Sequence, residues 1–381
     1  MNTPKVLVVL GSSKVFGRER SNVQVFKFLN EYNYECLFIT NSEPEASEVS
    51  RFIANEGFRS SAIPLAGIFG KNISLRIWIR KLLALFSANI RVAIIARQFK
   101  ATHIHINGFW DFFNLWPFLF LTNIAVIYRI GDSPRASPRI FGFLWERIIT
   151  KKGITIVCIS QHILRKIESI AKTNDMTRII YNYPPERDIA RKEFLGLEKN
   201  SKIRILYIGQ VIPQKGVIQL AEAARELCQK YSNLTFIIAG SLKQDESYTE
   251  ALIQYIDEAG IQEYFEFFGH VNDIYSLIGK CDIHVMPSIY EESLGNVLVE
   301  AKSVGVPSVI FPVGGSPELI EHEVDGYVCK SIDSSALAEG IAFFLSDRIR
   351  MKAGSAAKAS LHKLGITREA FIRAWRDVYK Y

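Results

Sequence analysis

Between Pro287 and Ala301 the chain reads PSIYEESLGNVLVEA, in which two glutamates, Glu292 and Glu300, flank an apolar stretch with one glycine, Gly295. Paired carboxylates at this spacing suit a ligand that offers hydroxyl groups at two separate places. Ahead of them IHVMP (283 to 287) predicts a short buried strand, and behind them Leu294, Val297, Leu298 and Ala301 recur at helical spacing. The elements that position the acids are therefore a strand, a loop and a helix. Glu292 is expected in the loop and Glu300 two turns inside the helix, roughly 12 Å further along its axis at ~1.5 Å per residue. The amides of Ser293, Leu294 and Gly295 are expected to point at the middle of such a ligand, where a helix N-terminus favours negative charge. The bland alternative is a helix cap at Glu292 and a solvated face at Glu300.

The segment resembles the E-x7-E signature of retaining family 4 glycosyltransferases with the GT-B fold, usually written E-x-F-G-x4-E-A. Here it reads E-S-L-G-N-V-L-V-E-A: both acids, the glycine and the trailing alanine match, and Leu294 replaces the usual Phe. The resemblance implies that the ligand is a nucleotide diphosphate sugar, with Glu292 orienting the donor sugar and Glu300 binding the ribose hydroxyls.

Other stretches of the second half agree with it in order. LYIGQVIPQKG (206 to 216) resembles V-G-R-L-x-x-x-K-G, whose arginine and lysine hold the donor diphosphate. A cation placed there stabilises leaving-group charge as it grows. Lys215 matches the lysine, while Gln210 takes the arginine's place, so half of the clamp is missing. IIAGSL (237 to 242) and FFGHV (267 to 271) resemble strand ends that border the nucleotide base, which puts Ser241, His270 and Val271 on the donor side. VPSVIFPVGGSPELI (306 to 320) and EVDGYVC (323 to 329) match a strand, G-G loop and helix and then a turn.

The first half diverges more. Around FGRERSN the resemblance keeps Gly17, Glu19 and Arg20, with Phe16 in place of a glycine; Gly17 is expected at the donor phosphates and Arg18 on the acceptor side. THIHINGFW (102 to 110) resembles I-x-H-x-H-G-x-W, keeping His105 and putting Asn107 in place of the second histidine. AVIYRIGDSPR has Gly131-Asp132 where relatives carry His-Asp, which leaves that role to Asp132, Arg129 or a water. His105 and Asp132 join Glu292 and Lys215 as expected catalytic residues; Arg18, Asn107, Arg129 and Asp132 are expected on the acceptor side. For His103 and His105 a packed side chain on a strand is the competing reading.

The 381 residues allow two or three domains. Five scattered cysteines without a C-x-x-C pair indicate neither a disulfide framework nor a zinc site and suit a reducing cytoplasm. The N-terminal apolar run is too short for a signal-peptide core, and no stretch is long enough to span a bilayer. The net charge of +7 is matched by residues 71–100 alone, with seven basic residues and no acidic one. Their apolar neighbours make this either a basic amphipathic surface for anionic lipid headgroups or an ordinary pair of surface helices. No nucleic-acid recognition motif accompanies it.

Apolar runs alternate with helical patterns in both halves: KVLVVLG, CLFIT, HIHI, AVIYRI and ITIVCIS in the first, IRILYIG, LTFIIAG, FEFFGHV, DIHVMP and PSVIFP in the second. That grammar predicts two doubly wound α/β domains, 1–190 and 191–365, whose ligands bind at the carboxyl ends of the strands in a cleft between them. The C-terminal segment 366–381, with Thr367 as N-cap and Phe371, Trp375 and Val378 on one face, predicts a helix; the resemblance returns it to the first domain.

The expected activity is transfer of a sugar from a UDP- or GDP-sugar to a carbohydrate or lipid-linked acceptor hydroxyl, with retention and without a metal or other cofactor. The expected place is the cytoplasm or the inner face of its membrane. A nucleotide-sugar epimerase and a non-catalytic nucleotide-sugar-binding subunit are the alternatives.

Overall fold

Short runs of aliphatic residues become parallel strands covered on both faces, which is why they read as nearly unbroken apolar segments. The computed structural model describes residues 3–15, 17–43, 47–65, 74–132, 143, 146–147, 150, 153–170, 173, 175–184 and 202–380. They divide into two compact units, Met1–Tyr183 with Arg368–Tyr381, and Pro184–Thr367. The expected boundary at 190/191 lies outside the described residues; the units part at 183/184.

In the first unit the order is β1 (Lys5–Leu10), α1 (Gly17–Asn30), β2 (Glu35–Asn41), α2 (Ser47–Asn55), β3 (Arg59–Ile63), α3 (Leu75–Phe99), β4 (His103–Asn107), α4 (Phe109–Leu121), β5 (Ala125–Ile130), β6 (Ile154–Cys158), α5 (Gln161–Glu168) and β7 (Thr177–Ile179). The sheet runs β3-β2-β1-β4-β5-β6-β7, all parallel. Strand order therefore reverses between β1 and β4, the point where open parallel sheets receive ligands. The two edge strands, RSSAI and TRI, carry no apolar run of their own.

Within the basic stretch, Leu75–Phe99 is one helix, not a pair. α3 runs for 25 residues, capped at its start by Ser74 and closed at Lys100 in the left-handed conformation. Its inner face (Leu85, Ala88, Val92, Ala96) is buried. Asn89 fixes that face against α4: its side-chain amide donates to Asn114 O (2.8 Å) and accepts from Phe118 N (2.9 Å). Pro117 interrupts the ladder of α4 beside these groups, and the Asn89 amide satisfies the carbonyl and the N–H flanking the break.

The second unit contains β8 (Ile203–Ile208), α6 (Val217–Cys228), β9 (Leu234–Ala239), α7 (Glu246–Glu258), β10 (Phe265–Gly269), α8 (Ile274–Ile278), β11 (Ile283–Met286), α9 (Asn296–Val304), β12 (Ser308–Ile310), β13 (Gly326–Val328), α10 (Ser334–Phe343) and α11 (Asp347–Lys363). Its parallel sheet runs β10-β9-β8-β11-β12-β13, so its order reverses between β8 and β11. The G-Y-V of the expected turn is the edge strand β13. A buried ion pair ties the back of α9 to its surroundings: Lys302 Nζ lies 2.6 Å from Asp325 Oδ2 and 2.9 Å from Ser360 Oγ.

The last helix, α12 (Arg368–Val378), belongs to the first unit. Phe371, Trp375, Val378 and Tyr379 are buried in one core with Val6, Val8, Val23 and Phe26 of β1 and α1.

Candidate functional site

In the second unit both loops that carry the expected donor residues leave from the strands where the order reverses. Beyond β8 the chain passes Gly209 and Gln210 into a short 3-10 turn, Pro213–Lys215, ended by Gly216 with φ 68°. Beyond β11 it passes Pro287 and Ser288 to Glu292. The loops are locked together through backbone: Ile289 N and Tyr290 N both donate to Gln214 O, at 3.0 and 3.3 Å. Gly216 has to be glycine here, since a Cβ would stand 1.9 Å from Pro287 O. A third segment joins them, with Gly315 N donating to Glu292 O at 2.7 Å and Gly314 so close that its Cβ would fall 2.1 Å from the same oxygen.

This scaffold brings the side chains together. Lys215 Nζ forms an ion pair with Glu292 Oε1, and the same oxygen accepts a 2.7 Å hydrogen bond from Ser288 Oγ. Ser288 is buried and was not singled out in the sequence. The available signal was its place right after the β11 strand, four residues before Glu292.

The helix beyond Glu292 starts later than its periodicity predicts. Gly295, with φ 86°, is the N-cap and α9 begins at Asn296, so the amides of Ser293, Leu294 and Gly295 belong to the loop. Leu294 extends the apolar spacing because it is buried by packing, not because it is helical. Glu300 is thus about one turn inside α9, about 6 Å beyond its first residue at ~1.5 Å per residue, and is half-buried. No side chain caps the helix start. Ser316 Oγ, buried and without a hydrogen-bond partner, lies 3.2 Å from where a Cβ of Gly295 would stand. The amides of this turn and the hydroxyl suit an anion.

The remaining expected donor-side residues follow the carboxyl ends of β8, β9 and β10. Gln210 is half-buried, and its carbonyl accepts from Tyr207 Oη at 2.6 Å. Ser241 Oγ accepts from Lys243 N at 3.4 Å. His270 is exposed, and Val271 packs against the core around Leu206 and Ile237.

At the reversal point of the first unit, Gly17 opens α1 exposed, and Arg18 reaches Glu19 (Nε to Oε1, 2.9 Å) and Asp132 (Nη1 to Oδ2, 3.2 Å). Burial works to lower the Arg18 pKa, but the carboxylates of Glu19, Asp111 and Asp132 outweigh it and hold it above its usual range. Asp111, in the first turn of α4, was missed in the sequence. Burial pushes its carboxyl up to about 7, although Arg18 and a hydrogen bond from the Gly11 backbone pull the other way.

Three expected site residues of this unit are interior. His105, expected among the catalytic groups, is wholly buried, with Nδ1 2.5 Å from Tyr379 Oη and Nε2 3.1 Å from Asn107 Oδ1. Its ring packs edge-on to Phe26 and beside Trp375, and burial, reinforced by the charge of Arg129, lowers its pKa to about 3. It is a neutral core residue, because the C-terminal helix covers the strand face that carries it. Asn107 and Arg129, neighbours in register on β4 and β5, are also buried. The Arg129 guanidinium donates to Asn22 Oδ1, Asn182 Oδ1 and Ser21 Oγ, and burial lowers its pKa to about 10. Of the residues expected on the acceptor side, Arg18 and Asp132 remain accessible.

Among the described residues no group of three or more His, Cys, Asp or Glu could hold a metal ion, and no helix is long and apolar enough to cross a membrane.

Residues 188–360 match the model of the glycosyl transferases group 1. The chain is 30% identical over 215 residues to the uncharacterized glycosyltransferase MJ1607 of Methanocaldococcus jannaschii, a match covering 53% of each chain. To the capsular polysaccharide biosynthesis glycosyltransferase CapM of Staphylococcus aureus it is 24% identical over 217 residues, 54% of this chain and 56% of that one. It spans about half the length of these curated relatives. Among solved structures, Anabaena HepE in complex with UDP and glucose is similar with a TM-score of 0.75 at 20% identity, over 96% of this chain and 98% of that one. At that identity the likeness is one of fold, GT-B.

Proposed function

We propose, from the match of residues 188–360 to the model of the glycosyl transferases group 1, that the protein moves a sugar from a nucleotide diphosphate sugar to an acceptor hydroxyl, in the synthesis of a polysaccharide or glycolipid. The observation that carries this reading is the Lys215, Glu292 and Ser288 cluster beside the start of α9, at the strand reversal of the second unit. The CapM name and the UDP and glucose bound by HepE support a donor of this class.

A donor diphosphate at the start of α9 competes with Glu292 for the Lys215 ammonium. As the bond between the anomeric carbon and the phosphate oxygen lengthens, charge grows on the diphosphate. Lys215 and the first amides of α9 then stabilise the transition state more than the ground state. The departing phosphate oxygen takes the proton of the acceptor hydroxyl, whose oxygen forms the new bond on the face just vacated, so configuration is retained. No protein carboxylate serves as nucleophile. Glu292, fixed by Ser288, orients donor hydroxyls; Glu300 binds the ribose; no metal takes part.

The test is a panel of nucleotide sugars scored for slow hydrolysis, with calorimetric titration of the corresponding diphosphates. Turnover of one donor and affinity for its diphosphate are expected. Absence of diphosphate binding at millimolar concentration would sink the proposal, and release of free epimerised donor would replace it with an epimerase.

A further inference from the structure

The longest helix of the first unit shows solvent the wrong kind of face. Ile79, Leu83, Phe86, Ile90 and Ile94 follow one another at steps of three and four residues, one stripe along α3, and each is 50% to 65% exposed. The helix is about 37 Å long at ~1.5 Å per residue. Exposed large apolar groups normally occur singly on a soluble surface; five in line are a docking face. Its orientation is built in, since the Asn89 clip to Asn114 and Phe118 and the buried Leu85, Ala88 and Val92 hold the opposite side. The neighbouring α4 ends in Phe120 and Leu121, both exposed as well.

Charge identifies the occupant. Arg76, Arg80, Arg91 and Arg97 are exposed on the same helix, and residues 71–100 contain no acid. On a helical wheel at 100° per residue Arg76 and Arg97 fall within the stripe near its two ends, and Arg80 and Arg91 along one side of it. Long guanidinium stems can lie along apolar surface while their heads reach outward. Arginine heads around an apolar stripe complement a layer of anionic headgroups over hydrocarbon, and the charges make α3 a helix that lies in the interface instead of crossing it.

We infer that the outward face of α3 docks the protein on an anionic lipid bilayer, with Leu83, Phe86 and Ile90 in the acyl boundary and the four arginines at headgroup phosphates. The inference is independent of the donor chemistry and holds for an inactive chain too.

The test is co-sedimentation of the full chain with neutral phosphatidylcholine vesicles and with vesicles containing phosphatidylglycerol, at several salt concentrations. Binding to the anionic vesicles that weakens with salt is expected. Arg→Gln replacement of Arg80 and Arg91 should lower the partition coefficient about five-fold per residue, and Leu83→Ser with Phe86→Ser should abolish binding. These side chains are exposed, so unchanged thermal melting verifies the fold. In Phe86→Trp, adding anionic vesicles should shift indole emission to the blue and let brominated lipid quench it. Equal binding to neutral vesicles, no binding, or an introduced indole that brominated lipid leaves unquenched would overturn the inference. So would self-association removed by the serine changes without any vesicle binding, or duplex DNA binding that they leave unchanged.

Discussion

Lys215 and Glu292, 77 residues apart in the chain, meet side chain to side chain in the second unit, on loops held together by backbone hydrogen bonds to Gln214. Neither loop reaches this arrangement alone. The pair gives Lys215 a resting partner and Glu292 a fixed rotamer, and Gln210 stands where the resemblance expects a second cation.

Lys215→Ala is therefore expected to remove the main cationic stabilisation of the leaving diphosphate. Removing one such preorganised group costs about 10²–10³ in turnover. Glu292→Gln should lower kcat while diphosphate affinity holds or rises, because Lys215 loses its competing carboxylate, and Glu300→Ala should weaken diphosphate binding while kcat changes less. Steady-state kinetics with calorimetry on the same proteins separates the three; identical profiles for the two glutamate variants would end the division of labour.

Ser288→Ala removes a hydrogen bond to a charged oxygen, an interaction of about 1.5–3 kcal/mol. A drop of about tenfold or more in kcat is expected with diphosphate affinity unchanged, and Ser288→Thr should restore part of it. A variant that loses affinity and turnover equally would make Ser288 a packing residue only.

Breaking the buried pair at Lys302 should hurt folding before chemistry. Burial lowers the Lys302 pKa, while Asp325 compensates its charge and Ser360 Oγ accepts a second hydrogen bond from the ammonium. Asp325→Ala strands the ammonium and is expected to cost about 3–5 kcal/mol in urea unfolding. Replacing both partners together, Lys302→Met with Asp325→Leu, should recover most of that. Equal losses in the single and double variants would contradict it.

Acid sensitivity follows from two buried histidines. His284 is held 3.0 Å from Ser308 Oγ, and burial lowers its pKa to about 4; His105 falls to about 3. Unfolded, each binds a proton near 6.5; folded, neither does until far lower pH. Between those values the unfolded state holds more protons, so their contribution is complete above pH 6.5 and is lost as pH falls toward 4 and 3. Asp111, raised from 3.8 to about 7, acts in the opposite sense, its contribution being lost as pH rises through this range. Comparison with His284→Gln isolates one group: its unfolding free energy should fall less steeply below pH 6.5, by about 1.4 kcal/mol per pH unit. Parallel slopes would mean that His284 takes up protons in the folded protein.

How much was legible differs by scale. The alternation of apolar runs and helices gave both parallel sheets, because strands covered on two faces need unbroken apolar sequence. It missed β3, β7 and β13, edge strands whose pairing comes from a neighbour instead of from their own composition. The residues 71–100 read as basic and apolar from composition, while the alternative of a pair of helices gives way to the single helix Leu75–Phe99, which no glycine or proline interrupts and whose middle Asn89 clips to α4.

By itself the sequence determined the two acids, the lysine, their order and the strand-loop-helix that carries them, all consequences of local spacing. Only the tertiary structure decided which polar residues face solvent and which are interior. His105 matches a motif but is sealed by the C-terminal helix and Tyr379, from the far end of the chain, while Ser288, Asp111 and Lys302 match nothing and acquire their roles from partners brought in by the sheets. Burial and charge compensation are sums over long-range contacts, and no local pattern encodes them.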